Sequence, residues 1–173
     1  MSHKRSFPPV TNADTRTLIL GSLPGDVSLA QSQYYAHPQN RFWMLVAEVI
    51  NVDLVALPYQ ARLDTLLKNG IGLWDVVAEA TRTGSLDSNI RGHVHNDLIS
   101  LLNTLPKLRT IAFNGGTAER LGLKALKEKA DDYQLIRLPS SSPAYTRPYA
   151  EKLIQWHSIR SGLTIAVPDQ DKS

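Results

Sequence analysis

Thr17-Leu18-Ile19-Leu20 is a short apolar run that stops at Gly21-Ser22-Leu23-Pro24-Gly25. A run this short, closed by glycine and proline, reads as a buried β-strand, because a helix needs a longer periodic pattern. Working outward, the same signature recurs at Ile71-Gly72-Leu73-Trp74-Asp75-Val76-Val77, at Thr110-Ile111-Ala112-Phe113-Asn114 before Gly115-Gly116, and at Gln134-Leu135-Ile136-Arg137-Leu138. Between these runs the period changes. Phe42, Leu45, Val46 and Val49 repeat at helical spacing from Arg41 onward, and Tyr59 to Lys68 forms a second helix with Gly70 in the position that ends one. Asp97 to Asn103, Thr117 to Lys129, and Tyr149 to Arg160 after Pro148 read as further helices. Strands alternating with helices imply parallel pairing and a helix-covered sheet. The expected fold is α/β, a three-layer α/β/α sandwich with a mostly parallel central sheet of about four strands.

Two stretches lack sustained periodicity, Ser22 to Asn40 and Thr81 to Asn96. Both read as long loops, and loops of that length in a small domain usually serve function. Residues 1–14, with Pro8-Pro9, read as a flexible N-terminal arm, 15–167 as a single domain, and 168–173 as a tail. The 173 residues suffice for one domain with a full core. With 42% hydrophobic and 20% charged residues, disorder and fibrous repeats are disfavoured.

Cysteine is absent. That excludes disulfides, thiolate catalysis, zinc ribbons and iron–sulfur clusters, and fits a reducing, cytoplasmic setting. The five histidines show no paired metal spacing, so neither a metal nor another cofactor is expected. The basic start, Met1 to Ser6, lacks the apolar stretch of a secretory signal, and no apolar run approaches the length of a membrane span. The net charge of +3 and pI of about 9.2 permit a polyanionic partner without requiring one. Nothing in the sequence demands more than a monomer.

In sheets of this kind ligands bind outside the carboxyl ends of the strands. The segments just past those ends, Gly21 to Gly25, Asp75 to Arg82, Asn114 to Thr117 and Pro139 to Thr146, should therefore converge on one cleft.

The Gly21–Gly25 turn is followed by Tyr34-Tyr35-Ala36-His37-Pro38-Gln39-Asn40-Arg41-Phe42-Trp43. The pair resembles the first motif of the mismatch-specific uracil/thymine DNA glycosylases, in which a Gly-Ile-Asn-Pro-Gly turn precedes an Ala-His-Pro-x-Asn-Arg-Phe-Trp segment. The resemblance to this uracil-DNA glycosylase superfamily runs from about Thr17 to Trp156. It departs at one place: Leu23 stands where the mismatch-specific enzymes carry a catalytic Asn and the uracil-specific enzymes an Asp. The second superfamily motif appears as Ser140-Ser141-Ser142-Pro143-Ala144-Tyr145-Thr146. With Gly84-Ser85-Leu86-Asp87-Ser88-Asn89-Ile90, these substitutions look like the hypoxanthine-DNA (deoxyinosine) glycosylase branch. In that branch the essential Asn is attributed to the His-Pro-x-Asn-Arg-Phe-Trp segment, here Asn40.

What the resemblance implies is a monofunctional hydrolase of DNA base-excision repair. It would flip a deaminated base, hypoxanthine first and uracil second, out of double- or single-stranded DNA and leave an abasic site. Tyr35 matches the position whose ring stacks on the flipped base. Asn40 would hold a water near C1′ or donate to the base, being too weak for a general base; capping the helix that begins at Arg41 is a second role open to it. Asp75 offers an acceptor to the N1–H of hypoxanthine, and uracil N3–H would be satisfied equally; a cap near Val76 or a pair with Arg82 is the alternative. Ser22, Leu23 and Asn114 are further base-pocket candidates, Asn114 also being a natural turn former before two glycines. Ser140, Ser141 and Ser142 suit a phosphate clamp, and Pro143-Ala144-Tyr145 a wedge into the duplex. Arg41, Arg82, Arg91 and Arg147 are candidates for phosphate contacts, although an arginine so placed is individually more often a solvated surface charge.

Two rivals stay open: a mismatch-specific uracil/thymine glycosylase, and a catalytically silent DNA-binding module. Ser140 to Ser142 lack the Gly-x-Ser-x-Gly elbow of a hydrolase nucleophile. No lysine occupies the motif segments, so a Schiff-base lyase step has no evident amine. His37 is expected to make a structural hydrogen bond.

Overall fold

A computed structural model describes residues 2–82 and 84–162. Strand β1 spans Ser2–Arg5, β2 Thr17–Gly21, β3 Ile71–Asp75, β4 Val77–Arg82, β5 Arg91–His95, β6 Thr110–Asn114 and β7 Gln134–Leu138. The helices are α1 Asp26–Gln31, α2 Phe42–Ile50, α3 Tyr59–Lys68, α4 Leu98–Leu102, α5 Gly116–Leu126 and α6 Tyr149–Trp156. Short 3-10 turns cover Asp87–Asn89, Lys127–Asp132 and His157–Gly162.

Strands β2, β3, β6 and β7 form a wholly parallel sheet in the order β3-β2-β6-β7. The register aligns Gly21 with Asp75 and Asn114 with Leu138, so their carboxyl ends finish at one level. Successive residues of a strand face opposite sides of the sheet. Ile19, Leu73 and Ala112 accordingly join α2, α3 and α6 in one core, through Phe42, Leu45, Leu66 and Trp156. Leu18, Leu20, Ile111 and Phe113 join α4 and α5 in the other, through Leu98, Leu102, Ala118 and Leu121. This is the three-layer sandwich that the sequence predicts. From β2 the chain first crosses outward to β3, then returns past β2 to β6. The helices after β2 and after β6 lie on opposite faces, which opens a crevice at the carboxyl ends of these two neighbours.

The remaining strands were not predicted. Strand β3 ends at Asp75, and Val77 starts β4, the middle of a separate antiparallel sheet ordered β1-β4-β5. The stretch read as a loop from Thr81 to Asn96 thus contains the end of β4, a 3-10 turn and β5. Strand β5 is exposed at every position and shows no apolar alternation to betray it. The first half of the expected flexible arm is also ordered: Ser2–Arg5 pairs with Glu79–Arg82. Beyond it, Phe7 packs edge-on against Tyr34 with centroids 5.2 Å apart, its carbonyl accepts from Trp74 Nε1 at 2.9 Å, and Val10 bridges to Leu73. Helix α1 likewise lies inside the expected loop from Ser22 to Asn40. The expected tail, 168–173, and the domain end at 167 lie outside the described residues. Among the described residues no helix is long and apolar enough to cross a membrane.

Candidate active site

A cleft of about 920 Å³ opens at the carboxyl ends of the parallel strands. The turn Gly21–Gly25 after β2, Asn114–Thr117 after β6 and Ser140–Tyr145 after β7 all line it, as expected. The Asp75–Arg82 stretch contributes Asp75 alone, because the chain then turns away into β4. Its place on the wall is taken by Ser85-Leu86-Asp87, from the loop between β4 and β5.

The floor is tight. A Cβ on Gly21 would lie 2.6 Å from Asp75 Oδ1 and 3.0 Å from the Tyr35 hydroxyl, so only glycine admits both side chains. Asp75 is buried, and its Oδ2 meets no hydrogen-bond partner. Burial, then the nearby Asp87 carboxylate, pushes the Asp75 carboxyl up to about 7, opposed by Arg82. The Tyr35 hydroxyl, also buried, approaches Asn114 without a full hydrogen bond, and burial followed by the Asp75 charge raises its pKa.

Tyr35 sits in the left-handed region, with φ of 55°. A bulky residue holds that conformation only where its surroundings impose it. Here Tyr34 donates its N–H to the Tyr59 hydroxyl at 2.9 Å, its own hydroxyl donates to Pro8 O at 3.0 Å, and Ala36 donates to Ser28 Oγ at 2.9 Å. The result places the Tyr35 ring flat on Phe42, with centroids 3.9 Å apart and planes inclined by 12°. Phe42 in turn packs edge-on against Trp43 and Trp156.

Asn40 lines the cleft just before α2, and its Oδ1 accepts the Phe42 N–H at 2.9 Å. The capping geometry foreseen for it is therefore present, displaced by one residue, since Arg41 occupies the N-cap position. The next N–H, that of Arg41, donates to Ser141 O at 3.0 Å and ties this segment to the loop after β7. His37 accepts the Gln39 N–H through Nδ1 at 3.1 Å, the local structural bond expected of it.

Asn114 and Ser141 are buried together: the Ser141 N–H donates to Asn114 Oδ1, and Asn114 Nδ2 donates to Ser141 Oγ. Ser140 Oγ accepts the Ser142 N–H at 3.1 Å, and Ser142 Oγ accepts the Ala144 N–H at 3.2 Å. These hydroxyls shape their own loop. Tyr145 stands at the rim, with the Arg147 guanidinium and the Lys152 ammonium each 5.4 Å from its ring. Lys152, buried on α6, also donates to Ser142 O at 3.2 Å; burial and then Arg41 lower its pKa. Its place outside the motifs concealed it in the sequence.

Several expectations need correction or refinement. Arg82 is fully buried and donates to Pro24 O, with Nη1 3.5 Å from Asp87 Oδ1, so it braces the cleft wall and is not presented to a phosphate. Ser22 is turned to the same bracing, its Oγ donating to Asp87 Oδ1 at 2.7 Å. Leu23 lines the cleft from a largely buried position in the core beneath α4 and α5. Arg41 and Arg147 are exposed beside the cleft without lining it. Asp87 was missed as a site residue. Its signal lay in the Gly84–Ile90 segment, but nothing local shows that it would meet Ser22 across sixty-five positions. Among the described residues no group of three or more His, Cys, Asp or Glu side chains is placed to hold a metal.

Comparison with known proteins places this geometry. Residues 8–160 match the pattern of the uracil DNA glycosylase superfamily. A hypoxanthine DNA glycosylase of Methanosarcina barkeri is 40% identical over 88% of this chain and 95% of its own. One of Methanosarcina acetivorans is 42% identical over 90% and 97%, respectively. The solution structure of a candidate uracil DNA glycosylase from Methanosarcina acetivorans superposes with a TM-score of 0.82 at 41% identity, covering 92% of this chain and 98% of that one. With a family pattern spanning nearly the whole described domain and relatives this similar end to end, the chain belongs to the uracil DNA glycosylase superfamily.

Proposed function

We propose that the protein is a monofunctional DNA glycosylase that hydrolyses the N-glycosidic bond of a flipped hypoxanthine and leaves an abasic site. The observation that carries this reading is the convergence of three side chains on one cleft: Tyr35 backed by Phe42, Asp75 with an unpartnered buried oxygen, and Asn40 at the helix start. The likeness to two hypoxanthine DNA glycosylases over nearly their full lengths supports it.

A purine leaving the stack needs a flat surface to replace its neighbours, and the Tyr35 ring supplies one, held rigid from behind. Ionised Asp75 accepts the N1–H of hypoxanthine; adenine, with an acceptor at that position, is refused by the same oxygen. Glycosidic cleavage builds positive charge on the sugar and negative charge on the base. The Asn40 amide holds the attacking water near C1′, and stabilisation comes from positioned dipoles more than from proton abstraction. The half-buried Ser140 and Ser142 and the exposed Arg41 and Arg147 hold the flanking phosphates, Ser141 being buried against Asn114, while Pro143-Ala144-Tyr145 fills the vacated space. Asn114 fixes that loop through Ser141. The cysteine-free chain is suited to a reducing cytoplasm and acts as a monomer in this reading.

Matched duplexes carrying deoxyinosine, uracil or a G·T mismatch, incubated with excess protein and cleaved with alkali, test the proposal. Product on deoxyinosine is expected. Product on uracil alone would remove the hypoxanthine assignment, and no product on any duplex would remove the enzyme.

A further inference from the structure

The tip of the β4–β5 hairpin lines the cleft beside the turn after β2, away from the sheet edge formed by β7 and its Ser140–Tyr145 loop, and nothing above uses it for DNA. Ten large apolar side chains stand exposed among the described residues, and of these only Leu86 and Tyr145 line the cleft. Leu86 is 50% exposed and Tyr145 39%. They come from different walls, one from the hairpin and one from the loop after β7.

The exposure of Leu86 does not come from a loose loop. On its N-terminal side, Ser85 Oγ accepts the Asp26 N–H at 2.9 Å, and Ser85 packs so close to the Gly25 turn that a Cβ there would lie 3.1 Å from Oγ. On its C-terminal side, Asp87 accepts from Ser22 at 2.7 Å and faces Arg82. Arg91 Nη1 then closes the turn, donating to Ser88 O and Ile90 O at 2.8 Å each. The tip is pinned to the same Gly21–Gly25 turn that floors the cleft. A braced backbone that holds a leucine out at the rim of the cleft is the arrangement of an apolar wedge, which inserts beside a base step and keeps it unstacked.

We propose that Leu86 is a second DNA-inserting side chain, contacting the base stack on the side of the flipped nucleotide opposite to Tyr145. The inference rests on the glycosylase reading for its ligand, duplex DNA. The bracing by Ser22, Asp87 and buried Arg82 then has a purpose: it fixes the distance between two wedges, and so the width of the gap.

The test uses a duplex with a tetrahydrofuran abasic analogue and 2-aminopurine on its 5′ or its 3′ side. At saturating wild-type protein, fluorescence should rise on both sides as neighbours unstack. Leu86→Ala should lose the rise on one side and keep it on the other, Tyr145→Ala should show the mirror pattern, and Leu86→Met should restore it. With deoxyinosine substrates, the duplex-to-single-strand ratio of kcat/KM should fall about tenfold in Leu86→Ala, since a single strand needs no unstacking. Wild-type fluorescence on both sides for Leu86→Ala, or equal loss on both, overturns the proposal. The fluorescence reading needs no excision, so inactivity of the wild type on deoxyinosine would strike the hypoxanthine reading and leave Leu86 still judged.

Discussion

The ring of Tyr35 lies 3.9 Å from that of Phe42, nearly parallel to it, although Tyr35 must adopt a left-handed backbone to be there. One ring face is thereby covered by protein while Tyr35 lines the cleft. Base–aromatic stacking is worth about 1–3 kcal/mol, so Tyr35→Ala should lower kcat/KM on deoxyinosine roughly 5- to 150-fold. Tyr35→Phe keeps the ring and removes a hydroxyl that has no full partner, so it should stay close to wild type. Steady-state kinetics of the two variants decide this; a Tyr35→Ala enzyme as fast as wild type would remove the stacking role.

Asn114 and Ser141 each leave the other unsatisfied when removed. Asn114→Ala strands a buried N–H and a buried hydroxyl, at about 1–3 kcal/mol apiece. Urea unfolding should show a loss of roughly 2–6 kcal/mol, and kcat/KM should fall as the loop carrying Tyr145 loosens. Unchanged stability would mean that water replaces the clasp.

Asp75 makes both stability and activity depend on pH. Its carboxyl is raised from 3.8 to about 7, chiefly by burial. Below about pH 4 the group is neutral in folded and unfolded chains alike, and burial carries no penalty. As pH rises, the unfolded chain ionises first and the fold loses stability, reaching the full penalty above about pH 7, on the order of 1–4 kcal/mol. Asp75→Asn should therefore gain on wild type in thermal unfolding at pH 8, with the gain shrinking toward pH 4. If the ionised form accepts N1–H, wild-type kcat/KM on deoxyinosine should rise through about pH 7, and that limb should vanish in Asp75→Asn. A flat wild-type profile would contradict the assignment.

Arg82 holds the hairpin from a fully buried position. Arg82→Met removes the donor to Pro24 O and leaves Asp87 without its cation, so denaturant melts should report a loss on the order of 2–4 kcal/mol. The salt dependence of DNA binding should hardly change, because no phosphate contact is lost. A slope reduced by about one contact would restore the phosphate role.

Strands β2, β3 and β6 were legible because they bury both faces, and Leu18 to Leu20 and Ile111 to Phe113 announce that as apolar runs, whereas β7 is an edge strand, largely exposed, and was marked by alternation and its turn signals. Strands β1 and β5 were not, because Ser2–Arg5 and Arg91–His95 bury little and are held by backbone pairing, which leaves no side-chain pattern. The cleft followed from strand ends, and Tyr35, Asn40, Asp75 and Asn114 all line it. The misreading of Arg82 has the same root as the missed Asp87. An arginine in a polar stretch looks solvated until β4 folds it inward toward Pro24, a long-range event that local sequence does not record.

Asn40 carries the central claim, and its bond to the Phe42 N–H means that loss of a cap must be separated from loss of chemistry. Serine is also a favoured cap, whereas alanine forfeits about 1 kcal/mol of helix stability. The direct measurement is the single-turnover excision rate on a deoxyinosine duplex, at enzyme excess, for Asn40→Ser and Asn40→Ala beside wild type. The account predicts that both variants bind the duplex yet excise about 100-fold or more slowly, although Asn40→Ser melts near wild type. Excision by Asn40→Ser at the wild-type rate would show that this residue only caps the helix, and would contradict the account.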